Sequence, residues 1–196
     1  MSPSFPILSR LLHWTMAAMV LAMLFIGVAM VGSLSDYHRL VAIHRPLGVL
    51  ILVLVAIRLV NRLINPPPPL PTSMPSVLRL AAHASHWLLY GLMFAQPLVG
   101  WGMLSAAGYP IALVGTWHLP AILPHDDAFY ALLRPLHTVL AYLLFATFLA
   151  HLGAALTHAL IFRDGVFQSM VSLRIWPKAR SPAAAGRAER YGSHRD

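Results

Sequence analysis

The sequence has 196 residues but no cysteine, and only 10% of its residues are charged, six of them acidic. Without cysteine the chain can form no disulfide, cannot hold an iron–sulfur cluster through thiolates and cannot attach haem covalently. Soluble domains carry about 25% charged residues, so the scarcity of charge argues against a soluble protein. Eleven histidines remain as candidate metal ligands, because neutral imidazole binds transition metals well.

Apolar residues make up 58% of the sequence, with a mean hydropathy of +0.69, and they are gathered into four long segments. About 20 apolar residues suffice for a helix to cross the hydrocarbon layer, and no long stretch alternates as a transmembrane β-barrel strand does. We therefore expect an all-α integral membrane four-helix bundle, forming one domain over residues 1–176. The expected helices cover residues 11–31, 41–63, 80–104 and 132–162.

The net charge of +8 indicates membrane topology rather than a nucleic-acid partner. Much of it lies in residues 177–196, which we expect to form a basic, disordered tail. Most other basic residues flank the same ends of the apolar segments, whereas only Arg39, Arg45 and Arg134 lie on the opposite side. Because cytoplasmic loops are enriched in lysine and arginine, both termini are predicted to be cytoplasmic.

Four histidines fall at two depths in these segments. His13 and His151 lie near the cytoplasmic side, and His44 and His137 near the other side. A histidine within a membrane is by default a functional-site hypothesis. The fourteen residues between His137 and His151 correspond to about 21 Å of helix and about 40° short of four turns, so both imidazoles share a face. His44 then completes an outer site with His137, and His13 an inner site with His151.

Pairs of imidazoles in a helical bundle, without thiolates or clustered carboxylates, favour haem b over zinc or a di-iron centre. The prediction is therefore two haem sites stacked across the bilayer. Two axial imidazoles leave no open position on the iron, which favours electron transfer over oxygen chemistry. His86 competes with His13 for the inner site, and the sequence leaves that choice open.

Further candidates surround these pairs. A guanidinium fits a carboxylate well, so four arginines at the segment ends are candidate partners for haem propionates, although topology alone also explains them. His86 and His158 are candidate contacts for a quinone head group or a propionate, or are interfacial residues. The four arginines are Arg10, Arg45, Arg79 and Arg134.

The ordered set of motifs resembles the prokaryotic cytochrome b561 family over about residues 5–176. All four segments contribute recognisable elements. These are Arg10-Leu11-Leu12-His13-Trp14; Ile43-His44 followed by Gly48; the Arg58 to Arg62 helix end with Asn65-Pro66-Pro67; His83-Ala84-Ser85-His86 with Tyr90 and Pro97-Leu98-Val99-Gly100; and His137, His151 and Thr157-His158 followed by Phe162-Arg163-Asp164.

The resemblance implies a multi-pass protein of the bacterial inner membrane, with two haem b groups ligated by one histidine from segment one, one from segment two and two from segment four. It also implies electron exchange with ubiquinone in a respiratory chain. Some family members oxidise superoxide at the periplasmic face. Here the three outer arginines would attract that anion, but three outer aspartates oppose it: Asp36, Asp126 and Asp127.

The expected activity is that of an electron carrier or a quinone-linked oxidoreductase with superoxide as a candidate donor. The expected partners are the lipid bilayer, quinone, and superoxide or a redox protein, with a homodimer as a further candidate assembly. One alternative is a haem b anchor subunit for a soluble dehydrogenase or hydrogenase. Another is a membrane transporter without haem, which would be colourless when purified.

Overall fold

A computed structural model describes residues 5–71, 74–113, 115 and 117–171. Four long helices dominate these residues, and each is long and apolar enough to cross a membrane. The protein is therefore an all-α membrane four-helix bundle, as the sequence predicts. The helices are α1 (Ile7–Gly32), α2 (Tyr37–Ile64), α3 (Ser76–Ala106) and α4 (Asp127–Thr157).

Each helix begins about one turn before its apolar segment does, because backbone hydrogen bonding continues past the edge of the hydrocarbon layer. Pro6 and Pro75 immediately precede α1 and α3, where the fixed φ of proline suits a helix start. The Asp126 carboxylate caps α4 by accepting hydrogen bonds from the backbone N–H groups of Ala128 at 2.7 Å and Phe129 at 3.0 Å. Asn65 follows the last residue of α2, and prolines then prevent further helix.

The core of the bundle is apolar, and much of its outside is apolar too. Helix α1 packs mainly on α2 and α3 mainly on α4, giving two helical hairpins with less extensive contact between α2 and α3. Phe25, Val28 and Val31 of α1 remain 68%, 71% and 90% exposed, as expected for side chains that face lipid. The buried cluster at the centre contains Met16, Val20, Ile51, Val55, Tyr90, Leu92, Met93 and Leu144.

The loop between α3 and α4 contains structure that the sequence analysis did not predict. Strands β1 (Ile111–Ala112) and β2 (His118–Leu119) pair antiparallel. Two-residue strands are too short to show an alternating pattern, so the signal was absent. We call this side of the bundle the hairpin end, and the side with the start of α1 and the end of α2 the terminal end.

The fourth apolar segment does not end as a regular α-helix. After α4 the chain forms a π-helical turn (His158–Phe162), and Arg163 then adopts a left-handed conformation with φ of 49°. Helix α5 (Val166–Val171) follows and lies against the start of α1, where the Trp14 indole N–H donates to the Met170 carbonyl at 3.2 Å. The predicted tail, residues 177–196, falls outside the described residues.

Candidate haem-binding site

Two pairs of imidazoles face each other inside the bundle, one at each end. The ring centroids of His13 and His151 are 6.3 Å apart at the terminal end, and those of His44 and His137 are 6.2 Å apart at the hairpin end. Each pair joins one residue of the α1–α2 hairpin to one residue of α4. The four histidines selected from their depth in the sequence are thus brought together in the pairs that were expected.

These separations can be compared with what a shared metal ion requires. An imidazole nitrogen lies about 1.1 Å from its ring centroid and about 2 Å from a bound metal ion, so two imidazoles on opposite sides of one ion have centroids roughly 6 Å apart. Both pairs match this value. The rings of His86 and His151 are closer, at 5.3 Å, which is short for opposite axial ligands. Among the described residues, no group of three or more histidines and carboxylates is arranged to hold a metal ion directly.

The pair at the hairpin end has unsatisfied nitrogen atoms. The Nδ1 atoms of His44 and His137 are both buried and have no hydrogen-bond partner among the described residues. Buried polar atoms without partners are rare in proteins and costly. Two imidazoles that face each other at 6.2 Å, with unsatisfied ring nitrogens and no thiolate or carboxylate between them, are a donor set that fits haem.

Helix α3 shapes the space around His137. A Cβ atom added to Gly100 would lie 3.1 Å from Cε1 and 3.4 Å from Nδ1 of His137, so any larger residue would require the ring to shift by a few tenths of an ångström. The Gln96 side chain donates to the His137 backbone carbonyl at 3.0 Å, which ties α3 to α4 at the same level. Neither residue was selected as a site residue from the sequence, since a contact between helices leaves no local signal.

The pair at the terminal end is already engaged by an arginine. Arg58 Nη2 donates to His13 Nδ1 over 2.8 Å, and since guanidinium has no acceptor, that nitrogen must supply the lone pair. The proton of neutral His13 is then on Nε2. An axial ligand normally carries its proton on the nitrogen away from the metal, so haem binding at His13 requires the Arg58 contact to rearrange.

The four candidate propionate partners are not equivalent. Arg10 is only 8% exposed, and its Nε and Nη1 atoms are buried without a hydrogen-bond partner in the part of the chain that the structure describes. Arg45 is partly buried and donates to the Pro110 carbonyl at 3.4 Å. Arg79 and Arg134 are exposed. Burial of an unpaired guanidinium is costly, so Arg10 is the residue most in need of an anion.

His158 lies away from both pairs, beside the unusual end of α4. Its Nδ1 is 2.6 Å from Asp164 Oδ2. The two residues are six apart in sequence and meet because the π-helical turn and the left-handed Arg163 reverse the chain between them. Asp164 was not selected from the sequence, since a spacing of six does not place residues together on an α-helix.

Known proteins are similar to this chain along most of its length. The family model described as prokaryotic cytochrome b561 matches residues 4–173. The chain belongs to the prokaryotic cytochrome b561 family. This confirms the resemblance drawn from the sequence motifs, and it establishes the protein as a membrane electron-transfer protein of a haem b family located in the bacterial inner membrane.

Individual family members are similar along most of their length. Cytochrome b561 homolog 2 of Escherichia coli K12 is 35% identical over 169 residues, which cover 84% of this chain and 89% of that protein. The probable superoxide oxidase CybB of Yersinia pestis is 33% identical over 143 residues, covering 70% and 75%. Cytochrome b561 homolog 1 of E. coli K12 is 30% identical over 172 residues, covering 83% and 94%.

Proposed function

We propose that this cytochrome holds two haem b groups and carries electrons to or from ubiquinone within the inner membrane. His13 and His151 would be the axial ligands of the haem at the terminal end, and His44 and His137 those of the haem at the hairpin end. The observation that carries the proposal is the centroid separation of 6.3 Å and 6.2 Å in the two pairs. When bound, haem b supplies reversible one-electron oxidation and reduction.

The residues of this chain would hold and insulate the two groups. An imidazole on each side would hold each haem through protein ligands alone, which would favour electron transfer over oxygen chemistry. Arg10, buried and unpaired, would bind a propionate carboxylate, and Arg45, Arg79 and Arg134 are further candidates at the two ends. The apolar side chains between the two levels exclude water, which keeps protons away from the buried pairs.

Proton exchange with quinone is assigned to His158, with His86 as a second candidate. The Asp164 carboxylate at 2.6 Å would hold the proton on His158 Nδ1, leaving Nε2 free to give or take a proton at a quinone oxygen. The surrounding π-helical turn supports this assignment, since such turns are frequent at functional sites. The left-handed conformation of Arg163 is a second departure from regular helix at the same point.

Superoxide is proposed as one electron donor, with a redox protein as the other candidate. One relative carries the name probable superoxide oxidase. At the hairpin end, however, Asp126 is engaged as a helix cap and Asp36 accepts a hydrogen bond from Ser33 at 2.9 Å, so both carboxylates are held at this end, where their charge opposes the approach of an anion. Electron transfer to quinone is therefore the primary proposal.

The orientation follows the positive-inside rule. The terminal end, with Arg10, Arg58, Arg62 and Arg79, would face the cytoplasm, and the hairpin end the periplasm. Quinone would then exchange protons at the cytoplasmic side through His158. A homodimer, or an anchoring role for a soluble dehydrogenase or hydrogenase, would add partners without changing the ligand scheme.

The experiment is a haem-to-protein ratio from a pyridine haemochrome assay on the purified protein and two matched variants. The wild type should give a ratio near two, His13→Ala should lose one haem, and His86→Ala should retain both. Loss of haem from the His86 variant with retention in the His13 variant would reverse the ligand assignment. A colourless wild-type protein that takes up no added haem would refute the whole scheme.

Function is then tested by two rates. The reduced wild-type protein should be reoxidised by ubiquinone. If superoxide is the donor, superoxide generated in solution should reduce the haem of the oxidised protein, seen as the appearance of the b-type absorption band. Reoxidation by quinone without reduction by superoxide would leave the electron carrier and remove superoxide as donor. Co-purification of a catalytic subunit needed for reduction would favour the anchor role.

A further inference from the structure

A polar pocket at the terminal end lies beside the paired histidines and is not part of the proposed haem site. It is a shallow depression open to the surroundings, and its polar lining comes from Ser9, Arg58, Asn61, Arg62 and Asn65. Its lining residues, within the described chain, belong to α1, α2, α3, α5 and the segments that flank them, and none belongs to α4. The pocket therefore lies on the side of His13 away from α4, and it borders the terminal pair through Arg58, which contacts His13.

Two guanidinium groups in this pocket have no anionic partner. The Cζ atom of Arg58 is 5.6 Å from the Tyr90 ring centroid, and that of Arg62 is 5.7 Å from the same centroid and 5.6 Å from that of Trp87. Throughout the part of the chain that the structure describes, no carboxylate pairs with either arginine. Cation–π contacts hold the two groups in place, but they leave two like charges beside one ring unneutralised.

Neutral donors complete the lining. Asn65 Nδ2 donates to Asn61 Oδ1 at 3.1 Å, and Asn61 Nδ2 donates to Ser9 Oγ at 2.7 Å. Ser9 is 8% exposed and Asn61 is 7% exposed, so this chain is fixed within the bundle. The Ser9 hydroxyl proton and the second amide protons remain available as donors. Guanidinium, amide and hydroxyl donors without a carboxylate suit a phosphate group.

The surroundings of the pocket are those of a lipid rather than of a soluble ligand. Leu8, Leu63 and Ile64 are neighbours in sequence of the lining residues, and they are 55%, 68% and 71% exposed. Within the pocket itself, Phe5, Pro67 and Met170 provide apolar lining beside the polar donors. Basic pockets between transmembrane helices at the cytoplasmic side are a known setting for anionic lipid head groups.

We propose that this pocket binds a phosphate group, supplied by the head group of an anionic phospholipid. Arg62 and Arg58 contact the phosphate oxygens, and Ser9, Asn61 and Asn65 supply the neutral donors. The bound lipid joins the start of α1 to the end of α2 and to α3. It neutralises the two arginines that the protein itself leaves unpaired.

The test uses the haem-containing protein purified in a neutral detergent. Native mass spectrometry measures how much added cardiolipin or phosphatidylglycerol remains bound, with phosphatidylcholine as the neutral comparison. Arg62→Gln should lower retention of the anionic lipids at least fivefold. Arg163→Gln is the matched control, because Arg163 is an exposed arginine at the same end, and it should retain them as the wild type does. Arg58 is left unchanged because it contacts His13.

The source of the phosphate is distinguished in a second arm with inorganic phosphate alone. Thermal stabilisation by anionic lipid but not by inorganic phosphate supports the lipid. Equal stabilisation by both, lost in Arg62→Gln, supports the same site with soluble phosphate as its ligand. Asn65→Ala provides a second variant if Arg62→Gln does not fold, and it should lower lipid retention while the visible spectrum of bound haem stays unchanged.

Two results would overturn the proposal. Equal retention of anionic lipid by the wild type, Arg62→Gln and Arg163→Gln would show that the lipid binds only through the general charge of this end. Loss of haem from Arg62→Gln with unchanged lipid retention would assign the pocket to a haem propionate instead.

Discussion

Replacing Gly100 by alanine should displace His137 and weaken the haem at the hairpin end. The added Cβ would lie 3.1 Å from Cε1 of His137, which is a few tenths of an ångström shorter than an ordinary contact. The ring cannot retreat freely, because Gln96 holds the His137 backbone and His44 faces the ring at 6.2 Å. Overpacking of this kind costs about 1–3 kcal/mol.

This cost converts into a binding effect that can be measured. Since about 1.4 kcal/mol corresponds to a factor of ten, haem affinity at the hairpin end should fall by roughly 5- to 150-fold. The haem-to-protein ratio of Gly100→Ala should fall from near two toward one after purification. A potentiometric titration of the b-type band should lose one of its two components.

A matched variant separates the clash from the general effect of alanine in a helix. Gly91 is in the same helix, and a Cβ added there meets nothing within 4 Å. Gly91→Ala should retain both haems and gain about 0.5–1 kcal/mol of helix stability. Gly100→Ala with two haems and unchanged potentials would refute the reasoning, as would equal haem loss from Gly91→Ala.

Three further predictions follow from other contacts. Asp126→Ala removes the cap of α4 and should cost about 0.5–2 kcal/mol of folding free energy, seen as a lower Tm in detergent. Asp127→Ala leaves the cap hydrogen bonds intact and should lower Tm less. Equal losses of Tm in the two variants would contradict the capping role of Asp126. Arg58→Gln removes a positive charge beside His13 and should lower the midpoint potential of the haem at the terminal end, since a fixed cation favours the form with one more electron. Arg163→Gln is the control and should leave the midpoint potentials as in the wild type. An unchanged potentiometric titration of Arg58→Gln would contradict the prediction. Asp164→Asn should slow reoxidation by ubiquinone while keeping the haem-to-protein ratio near two, because His158 loses the carboxylate that fixes its proton. An unchanged reoxidation rate would show that His158 and Asp164 take no part in the quinone reaction.

The sequence predicted the elements of the fold well. The structure brings the four selected histidines into two facing pairs, and it also places His86 beside His151, so the choice between His13 and His86 stays a prediction. Apolar segments of this length have one common solution in lipid, so their number follows from composition. His137 and His151 share a face because of helical periodicity alone, and His13 and His44 match their depths because each helix crosses the same layer. Helix starts were about one turn late, since polar residues such as those before Leu11 and Val41 continue the helix beyond the apolar run.

Residue types, depth and periodicity belong to the sequence, and they determined four spans, two levels of histidine and the family. Only the tertiary structure decided which neighbours each group has. It packed Gly100 against His137, left Arg10 buried without a partner, and exposed Arg79 and Arg134. It also joined His158 to Asp164 through a π-helical turn. These contacts depend on how helices rotate and approach one another, which is set by packing across the bundle and leaves no mark in the local sequence.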